Sequence, residues 1–303
     1  MLRHRSFILA ALLIAAIVAI DSVVTAQADG EIDIAVEARS LQPGELVVLT
    51  ITFRTDPTSV RVTAFGRRVP AFRLRERVWR ALAGIDLEQA AGPATVEVET
   101  QAATGAVRAS RALIVLPKRF EVRTLEVPPE FVNPPPSVQH RIEAENAFLK
   151  TVYSTSAPQP LWRGPFVRPV PGEANSRFGT RSRFNGELRS PHAGTDFLSG
   201  LGTPIKAPNA GKVVAARDLY FSGNTVIIDH GQQVYSMLAH LSRIDVQENE
   251  TVEAGHIVGL VGATGRVTGP HLHWALRVSG ARVDPLSALA LLGTDAAKRP
   301  EER

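Results

Sequence analysis

Prolines partition this chain more firmly than any other feature. Val127-Pro-Pro129 and Asn133-Pro-Pro-Pro136 cannot continue a sheet ladder, and Pro158, Pro160, Pro165, Pro169 and Pro171 force extended backbone after them. Residues 127–172 are therefore expected to be a connector with folded units on either side. Its one helical window starts at Ser137, a candidate N-cap, and runs to about Tyr153, with Ile142, Leu149 and Val152 near one face. A length of 303 residues also exceeds what one small core organises.

Residues 1–28 carry the three parts of an export signal. Arg3 and Arg5 are basic, Phe7 to Ile20 has no charge, and Ala26-Gln27-Ala28 offers small residues for cleavage. Retention as a membrane anchor is the alternative. The apolar run is short against the ~20 residues a bilayer core needs, although Ser22 to Ala28 extends it past Asp21. Either route exports the remainder, to the periplasm or cell envelope. The absence of cysteine excludes a disulfide scaffold, a thiol nucleophile and a thiolate metal site. A formal charge of +4 gives no argument for nucleic acid but suits an anionic polymer such as a cell wall.

Residues 29–126 alternate as strands do. Glu31 to Val36 alternates polar and apolar, Leu46 to Phe53 is a nearly continuous apolar run, and Val60, Val62 and Ala64 share one face, as do Val96 and Val98. Turn residues separate them at Pro43-Gly44, Asp56-Pro57, Gly84, Gly92-Pro93 and Gly105. This spacing predicts a β-sandwich, immunoglobulin-like in shape. Histidine is absent between Asp29 and Lys118, so no catalytic constellation is expected there. Arg67, Arg68, Arg73, Arg75 and Arg80 read as a solvated strand face, with wall or partner binding as the other reading.

Six of the eight histidines lie between His192 and His273. His192-Ala-Gly-Thr-Asp196 sets an imidazole and a carboxylate four residues apart, and His271-Leu-His273 sets two imidazoles on one face of a strand. One His and one Asp from the first pair and one His from the second complete the three-ligand set of a catalytic zinc, which keeps a fourth position for water. Each pair alone is common by chance, so the flanking residues decide.

Those flanks read Ser176-Arg-Phe-Gly-Thr180, His192-Ala-Gly-Thr-Asp-Phe197, Gly202-Thr-Pro-Ile-Lys-Ala-Pro208, Gly211-Lys-Val-Val214, Gly223-Asn-Thr-Val-Ile-Ile-Asp-His-Gly231, Tyr235-Ser-Met-Leu-Ala-His-Leu241, Gly255-His-Ile-Val-Gly259, Gly262-Ala-Thr-Gly265 and Thr268-Gly-Pro-His-Leu-His-Trp274. In this order and with these gaps the chain resembles the lysostaphin/LytM-type zinc metallopeptidases of peptidoglycan, over about Pro169 to Leu289. The resemblance implies a Zn²⁺ cofactor held by His192, Asp196 and His273, with His240 and His271 as the catalytic histidine pair. It implies a mostly β fold, with an antiparallel β catalytic domain of the lysostaphin/LytM type following the sandwich. Some members carry a tyrosine shortly before the first ligand; Arg183 to Ser190 contains none, which leaves any further oxyanion donor unassigned.

The residues agree with this chemistry. Two neutral imidazoles and one carboxylate leave a zinc ion about one net positive charge, and histidine suits proton transfer near neutral pH. No His-Glu-x-x-His helix occurs. His230, at a strand-to-turn corner, and His140 and His256 read as structural or solvent-facing.

Residues 173–292 are thus expected to be the peptidase domain, with residues 293–303 a polar tail. The expected activity is zinc-dependent hydrolysis of peptide bonds in peptidoglycan stems or cross-links. The alternative is a non-cutting, LytM-like activator of another wall hydrolase. The expected partners are peptidoglycan peptides. Membrane anchoring is expected only if the signal is retained, and the N-terminal domain is expected to contact the catalytic groove or the wall.

Overall fold

The computed structural model describes residues 30–102, 105–126 and 134–293. The expected signal at 1–28, the first residues of the connector and the tail beyond Gly293 lie outside the described residues.

The first half is a sandwich of two four-stranded antiparallel sheets. One joins β1 (Ile32–Ala38), β2 (Leu46–Phe53), β5 (Ala71–Arg75) and β6 (Val78–Gly84) in the order β1-β2-β6-β5. The other joins β3 (Val60–Ala64), β4 (Arg67–Val69), β7 (Gly92–Ala102) and β8 (Gly105–Val115) in the order β4-β3-β7-β8. Leu49, Ile51 and Ala81 from the first sheet meet Val62, Val96 and Val98 from the second in one core. Each large apolar side chain buried there contributes about 1.5–3 kcal/mol.

After β9 (Val122–Leu125) the connector reaches a 3₁₀ turn at Pro136–Val138 and then α1 (Gln139–Val152). The helix has Val138 at its N-cap and no side-chain cap. Ser137 is therefore not the expected cap, because consecutive prolines fix a tighter turn and place it inside that turn.

The second half is built on a ten-stranded sheet. Its strands are β10 (Ala174–Ser176), β13 (Gly194–Phe197), β14 (Pro204–Lys206), β15 (Gly211–Leu219), β16 (Gly223–Asp229), β17 (Val234–Ile244), β18 (Thr251–Val252), β19 (Ile257–Val261), β20 (Leu272–Val278) and β21 (Ala281–Val283). The main path runs β10-β13-β20-β17-β16-β15-β18. Asp284 caps the closing helix α2 (Pro285–Leu292), accepting a hydrogen bond from the Leu286 N–H. The hairpin β11 (Arg181–Phe184) and β12 (Glu187–Leu188) lies outside this sheet and adds β9 as a parallel partner of β11. The first half thus hydrogen-bonds to the segment just before His192.

The two halves share a core. On β2, Val47, Leu49 and Ile51 point into the sandwich, whereas Leu46 and Val48 point the other way, with Leu82 of β6, onto Leu276, Val278, Ala281, Val283 and Leu291. A Cβ on Gly84 would come within 2.6 Å of the Ala281 Cβ, so the backbones approach closely. Glu45, 2% exposed, accepts a bidentate pair from Arg39 and a hydrogen bond from Ser287. Arg39 also bonds Asp284 at 3.0 Å. Asp86 of the first half pairs with Arg282 of the second at 2.7 Å. Arg282 holds the Asp86 carboxyl down at about 2 against the upward push of burial.

The opposite face of the sheet carries α1. Phe148, Leu149, Val152 and Tyr153 pack on Ala215, Ile227 and Tyr235. The Arg217 guanidinium sits 3.8 Å from the Phe148 ring centroid, and Arg141 pairs with Asp218. His273, Ala275 and Arg277 alternate with the buried Trp274, Leu276 and Val278. They therefore lie on the face that α1 crosses, and the sandwich packs against the other.

Candidate metal centre and active site

β13 and β20 pair antiparallel with Asp196 opposite His273, so the strand period puts both side chains on one face. His192 enters from the preceding loop. Its N–H donates to the Thr180 carbonyl at 2.9 Å, and its own carbonyl accepts from the Gly179 N–H at 2.8 Å. One oxygen of Asp196 lies 3.1 Å from His192 Nε2 and 2.8 Å from His273 Nδ1, and those two nitrogens are 3.0 Å apart. The other His192 nitrogen faces the Arg177 carbonyl at 3.3 Å, the kind of outer partner that orients a ligating imidazole.

Gly194 makes this convergence possible. A Cβ there would fall 2.6 Å from both Cε1 and Nε2 of His273 and 2.7 Å from the Trp274 carbonyl oxygen. Only a residue without a side chain lets the two strands bring their ligands together.

The electrostatics suit a cation. Burial pushes the Asp196 carboxyl up, but hydrogen bonds from His192 and His273 overcome this and hold it well below the usual carboxylate range. Burial pulls His192 down, but Asp196 raises it overall. Burial dominates at His273, which is lowered despite Asp196. Three donor atoms face a common point at mutual distances of 2.8–3.1 Å. A tetrahedral zinc with nitrogen and oxygen ligands sets its donors roughly 3.3 Å apart, so an oxygen–nitrogen donor set of this size fits Zn²⁺. His192, Asp196 and His273 form the candidate metal-holding cluster among the described residues.

His240 and His271 stand beside it. Their ring centroids are 4.9 Å apart, and His240 lies 5.8 Å from His273. His240 Nδ1 meets the Thr264 carbonyl at 3.0 Å, and His271 Nδ1 meets the Gly269 carbonyl at 2.9 Å. A carbonyl can only accept, so each neutral ring keeps its proton on Nδ1 and turns Nε2 to the site. His271 Nε2 is 3.7 Å from Asp196. Burial, aided by the charge of His273, lowers His240 to about 4, so it is neutral at physiological pH.

His240 has φ of 68°, a left-handed conformation that costs a non-glycine residue on the order of 1–3 kcal/mol. The pairing of β17 with β16 slips register across this position, and its pairing with β19 slips just beyond it, between Leu241 and Arg243. Such a bulge re-aims a side chain, and the Ser222 carbonyl fixes it by accepting from the His240 N–H at 2.9 Å. Thr264 braces this bulge: its hydroxyl donates to the Leu241 carbonyl at 2.8 Å and accepts from the Asn224 N–H.

The other histidines lie elsewhere. His230 is fully buried; its Nδ1 donates to the Ala210 carbonyl and its Nε2 accepts from Ser236, whose oxygen also accepts from the Trp274 indole. His140 and His256 are exposed. Sequence reasoning missed the Thr264 and Gly269 carbonyls, which leave no residue-type signal, and the need for Gly194, which stood visible between two ligands. A cavity of about 430 Å³ opens beside His273, between α1 and the sheet. A larger one of about 650 Å³ lies between the sandwich and the connector, away from the five site residues.

Among the described residues no helix is long and apolar enough to cross a membrane. A profile for Peptidase family M23 matches residues 190–285. Peptidoglycan DD-endopeptidase ShyA of Vibrio cholerae is 44% identical over 99 residues, 33% of this chain and 23% of that protein. DD-carboxypeptidase/endopeptidase Mpg of Neisseria meningitidis is 40% identical over 96 residues, 32% of this chain and 22% of that protein. The chain thus spans about a quarter of the length of these named relatives. A crystal structure from Pseudomonas aeruginosa assigned to peptidase M23 is 35% identical, covers 84% of this chain and 95% of its own, and superposes with a TM-score of 0.64. That match spans the sandwich as well as the site, and with it the chain belongs to peptidase family M23.

Proposed function

We propose that this chain is an exported, zinc-dependent endopeptidase that hydrolyses peptide bonds in peptidoglycan. The observation that carries the reading is the convergence of His192, Asp196 and His273 beside a histidine pair whose Nδ1 atoms both meet backbone carbonyls. A zinc ion held by His192, Asp196 and His273 would supply Lewis acidity for polarising the scissile carbonyl and easing the deprotonation of water. The protein does the rest. His240 and His271 present Nε2 toward the reacting atoms, one able to take the proton of the attacking water and the other able to carry a proton to the leaving amine. The low proton affinity of His240 keeps it ready as an acceptor at neutral pH. The braced bulge at residue 240 pre-orients its ring, so little reorganisation remains for the reaction.

The naming of ShyA and related proteins as DD-endopeptidases supports a D-alanyl cross-link of a thin, Gram-negative-type wall as the bond cut. The signal-like residues 1–28 support export to the periplasm or cell envelope. The strand orders β1-β2-β6-β5 and β4-β3-β7-β8 support the immunoglobulin-like reading, since as strands A to G they become ABED and C′CFG. The sandwich itself packs on the face away from the ligands. What supports contact between the N-terminal region and the groove is α1 together with the β9–β11 pairing.

The test is zinc content and digestion of purified peptidoglycan, with fragments identified by mass spectrometry. One zinc per chain and digestion lost in His273→Ala and His240→Ala are expected. A metal-free chain that cuts nothing but activates a second hydrolase would establish the regulatory alternative.

A further inference from the structure

The cavity beside His273 has a chemical character that the metal site does not require. Its floor is Ala193, Ala275 and Met237, and its wall is Leu149 and Tyr153 of the α1 region. Two cations line it, Lys150 from the helix and Arg277 from β20. The Arg277 guanidinium lies 4.5 Å from the Tyr153 ring centroid, an orientation that pre-organises it. No carboxylate lines the cavity. Arg282, at its rim, is already committed to Asp86 and Glu88, whereas among the described residues no carboxylate pairs with Lys150 or Arg277. The alanines keep the floor shallow next to the metal ligand, which leaves room for backbone and methyl-sized side chains. Positive charge then accumulates farther along. Arg277 is four residues from His273 on the same strand face, about 13 Å of strand, the span of roughly four residues of an extended peptide.

We propose that this cavity is a substrate subsite that binds a carboxylate near the scissile bond, with Arg277 and Lys150 as its recognition pair. The proposal rests on the peptidase reading for the identity of the substrate. A stem peptide offers such a carboxylate from two sources, the free C-terminus and the side chain of an acidic or diamino-acid residue. Both present the same two-oxygen anion, which a guanidinium and an ammonium can hold together. The helix of the connector would then be part of the substrate-binding apparatus: it supplies one of the two cations and the wall that shapes the space between them.

Binding to the full-length, zinc-loaded protein tests this without relying on turnover. A stem tetrapeptide is titrated calorimetrically in three forms: with both carboxylates free, with the C-terminal carboxyl amidated, and with the side-chain carboxyl amidated. Amidation of one of them is expected to weaken binding about tenfold to a hundredfold, the worth of a hydrogen bond to a charged group, and the form that weakens names the source. In the Arg277→Gln, Lys150→Gln double variant the free and amidated peptides should bind alike; Arg277→Lys should retain part of the preference. Melting curves verify that the variants fold; if the double variant does not, the wild-type comparison alone decides. Equal binding of all three peptides by the wild type, no binding of any, or a preference that survives in the folded double variant would each overturn the proposal. A protein that discriminates the carboxylate yet digests no peptidoglycan would instead refute the peptidase reading alone.

Discussion

Replacing Gly194 with alanine should damage the metal centre without touching any ligand. The added methyl would sit 2.6 Å from two ring atoms of His273, while carbon atoms in ordinary contact lie about 3.5–4.0 Å apart. The ring must therefore retreat by roughly 1 Å. The backbone cannot share the movement, because the methyl also meets the Trp274 carbonyl oxygen at 2.7 Å and the flanking ladder pairs Gly194 with Ala275 and Asp196 with His273. Overpacking of this kind costs about 1–3 kcal/mol, which the domain survives. A misplacement of about 1 Å at a reacting centre costs on the order of a hundredfold in rate. Disturbed support of a ligand costs about ten- to a hundredfold in metal affinity. Zinc affinity by competition with a chromogenic chelator, digestion of purified peptidoglycan and the melting temperature would be measured on one preparation. A folded variant with zinc affinity and digestion both unchanged would refute the claim that close approach at Gly194 sets the ligand geometry.

Asp196→Asn removes the only anionic donor of the cluster, so zinc per chain should fall far below one after dialysis. Chelation should lower the melting temperature of the wild type but leave this variant unmoved, since only a bound ion stabilises by mass action; an equal chelator shift in both would contradict the assignment. Burial lowers His230 to about 4, below its unfolded value near 6.5, so it folds neutral. Its contribution is complete above about pH 6.5 and disappears as the pH falls toward 4, a loss of about 3 kcal/mol. His230→Gln should therefore melt with a shallower acid dependence between pH 6.5 and 4 than the wild type; parallel curves would remove this account. A truncated chain of residues 173–293 should express as aggregate. Leu276, Val278 and Val283 lose their cover at about 1.5–3 kcal/mol for each side chain fully exposed, against a total stability of about 5–15 kcal/mol. A soluble, cooperative truncation product would show that the shared core is dispensable.

Much of this was legible because it is written in short periods. The alternation in Leu272 to Val278 assigns His273 to one face and Trp274 to the core, and β20 keeps that pattern without a break. The apolar start of β2, Leu46 to Leu49, is buried on both faces, and the second face is the interface with Leu276 and Val278, a partner the local sequence does not name. The spacings of four residues in His192–Asp196 and of two in His271–His273 survive because each pair rides on or beside a single strand. What could not be read depends on partners distant in the chain. The left-handed His240 has no local cause and is imposed by Ser222 and Thr264. The cap expected at Ser137 yielded to proline geometry. The parallel pairing of Val122–Leu125 with Arg181–Phe184 joins residues with no periodic relation across a stretch of prolines.

That last pairing has a thermodynamic consequence. The excursion from Arg177 to His192 would, untethered, be a long flexible arc whose ordering cost falls on the catalytic half alone. Pinned at its midpoint by β9, it behaves as two short arcs, and much of the entropy of fixing it is charged to the folding of the upstream sandwich. A graft of this catalytic half onto a foreign partner would slacken the rim around His192 before it altered any atom of the ligand strands.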